Sequence, residues 1–176
     1  MEKQLSRENI YDGKVIKVVK DVVTIDDNST SIREVVLHNG GVCIALKDKD
    51  NKFFVEKQFR YPFNDTLYEF PAGKIEKGED PLEAIKREVV EETGYSAKNI
   101  KYYGYIAPTC GYSSEKIYLY YGEVDEYFGQ HLDSDERIDL VKFSYDELKM
   151  MAKNNEIYDG KTIAVMHYLY LNDDEY

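Results

Sequence analysis

From about Lys14 to Leu37 apolar and polar residues alternate, a period of two that predicts one or two extended strands with Asp26-Asp27-Asn28 as the turn between them. From Gly41 the apolar positions crowd together. GVCIAL and KFFVEKQF predict strands on either side of the charged turn KDKDN, and a short strand from Thr66 to Phe70 leads into a glycine-containing loop that starts at Pro71. IKYYGYIA and KIYLYYGEV predict two further strands, divided by the loop Pro108 to Ser114. LVKFS predicts a last strand, followed by helices near Tyr145 to Asn154 and Lys161 to Leu171. The pattern is that of an α/β chain with a mixed sheet, few helices and no internal repeat.

One helix carries clear punctuation. Asp80 suits its N-cap, Pro81 its first turn and Glu83 the third position, a start resembling a capping box; Gly94 suits its end. Leu82, Ile85 and Val89 form the apolar stripe expected to face the sheet. On this helix Glu88 and Glu92 are four residues apart and Glu88 and Glu91 three, so all three carboxylates reach one side, next to that stripe.

Composition narrows the setting. With 176 residues, 43% of them hydrophobic, the chain can bury a core as one domain with a modest additional element. The 17 tyrosines and absence of tryptophan suit half-buried strands, grooves or a subunit interface. A net charge of -11 argues against nonspecific attraction to nucleic acid or to an acidic membrane, yet it allows phosphate substrates wherever a bound cation reverses the local field. Cys43 and Cys110 lie far apart without metal-ligand spacing, so no structural disulfide is expected. The first residues lack the apolar core of a secretion signal and no apolar run reaches membrane-spanning length, which makes a cytoplasmic location the expectation.

The chemistry concentrates between Gly73 and Tyr95. Three clustered carboxylates repel one another when nothing is bound, and a hard divalent cation relieves that repulsion while taking their oxygens as ligands. Mg2+ is the expected ion, with Mn2+ a chemically reasonable substitute. An acidic pair alone is more often a solvated helix face. Together with Gly73, Glu79, Arg87, Glu88 and Gly94 at fixed spacing, however, the segment matches every fixed position of GX5EX7REUXEEXGU, where U is a bulky hydrophobic residue. Val89 fills the first U and Tyr95 the last. This is the signature of the Nudix hydrolases, which the chain resembles.

That resemblance implies a Nudix-like α/β/α sandwich with a mixed sheet, here preceded by an N-terminal β-strand extension. It implies metal binding by Glu88 and Glu92, by Glu91 as a further metal or water-network ligand, and by the backbone carbonyl of Ala72. Arg87 resembles the arginine that orients the acids, with Glu79 as its partner. Cations bound there would neutralise a diphosphate and acidify the water that attacks it. No serine- or cysteine-centred constellation suggests a covalent intermediate.

Outside the signature, EKQFRYP and LYEFPAGKIEKGE resemble the ADP-ribose pyrophosphatase branch. Arg60 matches a phosphate-contacting arginine of that branch, and its forked donors suit a diphosphate. Arg33 resembles a second upstream substrate-binding position, although Asn39 stands where that branch carries proline. Glu69 is expected to hold or contact the site, or else to be a surface acid at a strand end. Fifteen residues past the signature, where the branch often has proline, stands Cys110, for which packing is the plainer role. Glu136, in the acidic stretch HLDSDERIDLV, matches an acid of related enzymes that takes part in catalysis from a loop; Asp133 and Asp135 compete for that role, and a solvated acidic loop is the alternative.

The expected organisation is a strand extension over residues 1–39, a candidate dimerisation element, and a hydrolase domain over 40–176. The expected reaction is cleavage of ADP-ribose to AMP and ribose 5-phosphate by a homodimer without a nucleic-acid or membrane partner. A broader nucleoside-diphosphate-sugar pyrophosphatase is the close alternative, and a noncatalytic nucleotide-binding protein of the same fold is the alternative from another class.

Overall fold

The structure is a computed structural model, and it describes residues 1–26, 29–132, 134 and 137–172. Two compact units divide it: Met1–Gly40 with Ala107–Lys116, and Gly41–Ile106 with Ile117–Tyr176.

In the first unit, β1 (Lys3–Asp12), β2 (Lys17–Thr24) and β3 (Thr30–Leu37) form an antiparallel sheet in the order β1-β2-β3. The alternating pattern gives β2 and β3 as expected, and Val19 and Val23 are buried by it. Strand β1 was not expected. It is exposed along its whole length and lacks the alternation of a half-buried strand. Its ladder with β2 carries a forked ion pair, Arg7 to Asp21 at 2.8 and 2.7 Å. The loop that follows Ile106 belongs here through the edge of β3: Val36 donates to the Tyr112 carbonyl, and Ser114 donates to that of Val36. Cys110, in that loop, is exposed rather than packed, and both cysteines are free thiols.

The second unit is a mixed sheet between helices. β4 (Gly41–Lys47), β5 (Lys52–Arg60), β8 (Tyr95–Ile106), β9 (Ile117–Tyr127) and β10 (Ile138–Ser144) run in the order β10-β5-β4-β9-β8. Strands β4 and β9 are parallel; the remaining neighbours are antiparallel. The central strands read as continuous apolar runs because both of their faces are covered. Val42, Ile44, Leu46, Phe54 and Tyr120 pack with α1 (Pro81–Thr93) through Ala84, Ile85 and Val89. Cys43, Ala45, Phe53, Val55, Leu119 and Tyr121 pack on the other side with Leu148 of α2 (Tyr145–Lys153) and Val165, Met166 and Leu169 of α3 (Gly160–Leu171). This is the α/β/α sandwich with a mixed sheet.

The sheet opens at one place. β4 and β5 pair only beside their turn, at Lys47 and Phe53. Beyond it β5 pairs with β6 (Asp65–Glu69) and β4 with β7 (Ala72–Lys74), so the segment around Phe70 and Pro71 crosses the gap between them. Thr162 of α3 secures that crossing: its hydroxyl accepts from the Phe70 amide at 2.9 Å and donates to Asp159 at 2.6 Å.

Candidate active site

Helix α1 is set by its ends. The Asp80 side chain accepts from the Leu82 amide at 2.8 Å, and Gly94 closes the helix in the left-handed region at φ 77. Glu83 does not complete a capping box; it pairs instead with Lys86. The apolar stripe also shifts from its expected phase. Leu82 is 37% exposed, while Ala84, Ile85 and Val89 are buried. Glu92 follows on that same stripe, so it points into the protein and is only 4% exposed. The three acids of the helix therefore have different surroundings, Glu92 lying on the buried stripe itself rather than beside it.

Glu88 lies across Gly73. A Cβ at that position would stand 1.8 Å from the Glu88 carboxyl carbon and 2.0 and 2.3 Å from its oxygens, so the signature glycine leaves room for a carboxylate on the backbone of β7. Arg87 gathers the others. Its guanidinium donates to Glu79 at 3.0 and 3.1 Å and to the Lys74 carbonyl at 3.1 Å, and it pairs with Glu88 at 2.9 Å and Glu91 at 3.0 Å. The Arg87 hydrogen bonds hold Glu79 below the ordinary carboxylate range.

Glu92 accepts from the Ala72 amide at 3.0 Å and meets a residue that the signature does not contain, Glu56 of β5. Glu56 is 1% exposed. The two carboxyls lie against each other inside the protein. Burial pushes Glu56 up to about 8, the charge of Glu69 acting in the same direction, and burial together with the charge of Glu56 raises Glu92 as well. Sequence reading missed Glu56. Its one signal is an acid at the end of an apolar strand run, KFFVE.

Beside this pair, in register with Glu56, stands Glu69 of β6. It is buried, which rules out a surface acid at a strand end. Arg60 grips it with two bonds of 2.6 Å, and Lys161 from the start of α3 reaches the same carboxylate. Burial opposes its ionisation, but the Arg60 hydrogen bonds and the two cationic charges prevail and hold Glu69 below the usual range. Lys161 also pairs with Asp159 at 3.1 Å.

Gly73, Ala72, Glu56, Glu69, Arg60, Arg87, Glu88, Glu91 and Glu92 thus belong to one region of the second unit, where β4 and β5 part. Arg33 lies in the first unit and engages Glu2, the Ser31 hydroxyl at 2.8 Å and the Ile32 carbonyl at 2.9 Å. Glu136 lies outside the described residues.

Among the described residues no three His, Cys, Asp or Glu side chains are gathered as they stand to hold a metal ion. The physical reason is in the pairings: Arg87 draws Glu88 and Glu91 towards itself, while Glu92 turns to Glu56. The donor chemistry nonetheless fits a hard divalent cation. Glu56, Glu88, Glu91 and Glu92 supply hard oxygen donors from neighbouring elements, and one buried oxygen, Oε1 of Glu56, has no hydrogen-bond partner among the described residues.

The NUDIX domain model matches residues 37–165. A methanol dehydrogenase activator of Bacillus methanolicus is 37% identical over 98% of this chain and 94% of its own length. An ADP-ribose pyrophosphatase of Bacillus subtilis (strain 168) is 33% identical over the same shares, and a GDP-mannose pyrophosphatase of Yersinia enterocolitica is 33% identical over 82% of each chain. In fold, the chain is similar to the crystal structure of an ADP compounds hydrolase, with a TM-score of 0.86 over 99% of this chain and 96% of that one at 16% identity. With the domain model matched over residues 37–165 and the signature running from Gly73 on β7 through α1 to Tyr95, the chain belongs to the Nudix hydrolase family.

Proposed function

We propose that the protein hydrolyses the diphosphate linkage of ADP-ribose, giving AMP and ribose 5-phosphate, with Mg2+ as its metal and Mn2+ as a substitute. The observation that carries the chemistry is the seat of Glu88 on Gly73 beside the buried Glu92, which sets carboxylates where β7 and α1 meet. The substrate rests on the ADP-ribose pyrophosphatase of Bacillus subtilis, which this chain matches over 98% of its length.

Glu88, Glu91, Glu92 and the Ala72 carbonyl would hold the cation, which when bound supplies charge neutralisation of the diphosphate and acidification of the attacking water. The chain's own groups do the positioning. Arg87 fixes Glu88 and Glu91 from one side. Glu69, buried and anionic, aims the Arg60 guanidinium, which stays partly exposed and can turn its remaining donors to a phosphate oxygen. Arg33 contributes to substrate binding and Glu136 to catalysis in this reading, on the strength of the sequence resemblance.

The Yersinia relative supports a second reading, a broader nucleoside-diphosphate-sugar pyrophosphatase with the same chemistry. A panel of ADP-ribose, GDP-mannose and other nucleotide sugars with Mg2+ separates the two. Preferred cleavage of ADP-ribose supports the first; preferred turnover of GDP-sugars overturns it. The activator relative adds one further assay, the effect of the protein on an alcohol dehydrogenase.

We also propose a cytoplasmic homodimer in which the strand extension of residues 1–39 is the dimerisation element and residues 40–176 are the hydrolase domain. Exposed Leu5, Ile10 and Tyr11 on β1 support the dimer. No helix among the described residues is long and apolar enough to cross a membrane. A monomeric mass in solution would overturn the dimer.

A further inference from the structure

We propose that Glu56, on strand β5 and outside the signature segment, is an additional carboxylate ligand of the divalent cation. The inference rests on the metal-dependent reading above and adds one named residue to it.

The acids of this region divide by their partners. Glu69 is paired with Arg60 and Lys161, and Glu79, Glu88 and Glu91 share Arg87. Glu56 and Glu92 stand between these two groups, and neither has an ion-pair partner among the described residues. Both are buried, with exposures of 1% and 4%, and unlike the equally buried Glu69 they have no cation beside them. Glu92 at least accepts from the Ala72 amide. Glu56 has an oxygen, Oε1, that is buried without any hydrogen-bond partner, the one such side-chain atom among the described residues.

A buried, half-satisfied carboxyl costs free energy that a neutral side chain of the same size would avoid. Packing therefore does not account for an acid here; a ligand for its oxygens does. An anionic phosphate is the wrong class, because Glu56, Glu69 and Glu92 would repel it. A cation is the right one, and carboxylate donors beside a backbone carbonyl strand select a hard, oxygen-seeking divalent ion. The fold provides the approach: β5 leaves β4 after Phe53, which turns Glu56 toward the crossing segment and α1 rather than into a continuous ladder with β4.

The test is a Mn2+ titration of the full chain after chelator treatment, with free Mn2+ read by electron paramagnetic resonance and melting curves recorded without metal. Glu56→Gln keeps the shape and removes the charge; Glu92→Gln is the reference. The expected result is that both variants bind Mn2+ at least about tenfold more weakly than the parent, while Glu56→Gln melts no lower than the parent without metal. Unchanged Mn2+ affinity in Glu56→Gln alongside weakened binding in Glu92→Gln overturns the role of Glu56 and leaves the metal-dependent hydrolase standing. A lower metal-free melting temperature with unchanged affinity assigns Glu56 to packing and also overturns it. Absence of saturable Mn2+ binding in the parent overturns the underlying reading itself. Should Glu56→Gln fail to fold, Glu56→Asp decides: weakened Mn2+ binding supports the ligand role, and parental affinity overturns it.

Discussion

Replacement of Gly73 by alanine should separate folding from function. The added Cβ would stand 1.8 Å from the Glu88 carboxyl carbon, whereas ordinary contacts begin near 3.4 Å. The carboxyl must therefore retreat by about 1.6 Å. For the fold this is cheap, because what moves is the far end of a flexible side chain and Gly73 does not use a positive φ. Alanine also lowers the entropy of the unfolded chain, a gain of roughly 0.4–1 kcal/mol where the backbone conformation allows it. For the chemistry it is expensive, since a misplacement of about 1 Å at a reacting centre costs on the order of a hundredfold. The expected result is a fall of about a hundredfold or more in kcat/KM for ADP-ribose at saturating Mg2+, close to 3 kcal/mol of barrier (~2.7), with a melting temperature within a few degrees of the parent. Steady-state kinetics and thermal melts on the same preparation measure both. Near-parental turnover in a folded variant would refute the reasoning, and so would a variant that cannot fold.

Stability of the metal-free protein should fall as pH rises from 5 to 8. The folded-state value of Glu56 is raised from 4.5 to about 8, so over that window the folded state holds more protons than the unfolded one, and its stability is greatest below the window. The loss attributable to Glu56 is at most on the order of 5 kcal/mol, and excess Mg2+ should flatten the slope. Chelated urea melts at several pH values check this; stability that rises with pH over the window would contradict it. Thr162→Val should cost about 1–3 kcal/mol in denaturant melts, because it leaves the buried Phe70 amide without its acceptor. Arg87→Lys, which cannot bridge Glu79, Glu88, Glu91 and the Lys74 carbonyl at once, should lower kcat by roughly tenfold or more with little change in melting temperature.

What could be read in the sequence follows from what each residue reports locally. β4, β5 and β9 are covered on both faces, so their apolar runs announce them. The ends of α1 are written in Asp80, Pro81 and Gly94, and the spacing of the signature places Glu88 and Glu92 on one helix. β1 was illegible because it buries nothing, and a ladder to β2 leaves no mark on its own hydropathy. Leu82 reads as inward because it is apolar, yet the helix turns the smaller Ala84 to the sheet and carries Glu92 on the buried stripe. Glu69 was ambiguous because one of its partners, Lys161, comes from 92 residues downstream. Glu56 was missed for a similar reason. Its burial depends on where β4 and β5 part, a property of the sheet that no local pattern encodes.

The most direct test of the central claim is ADP-ribose hydrolysis by chelator-treated protein as Mg2+ is added back, with products identified by phosphorus NMR. The account expects no turnover without a divalent ion, and AMP with ribose 5-phosphate as the products once it is restored. Turnover that is indifferent to divalent ions, or no cleavage of ADP-ribose with either Mg2+ or Mn2+ present, would contradict it.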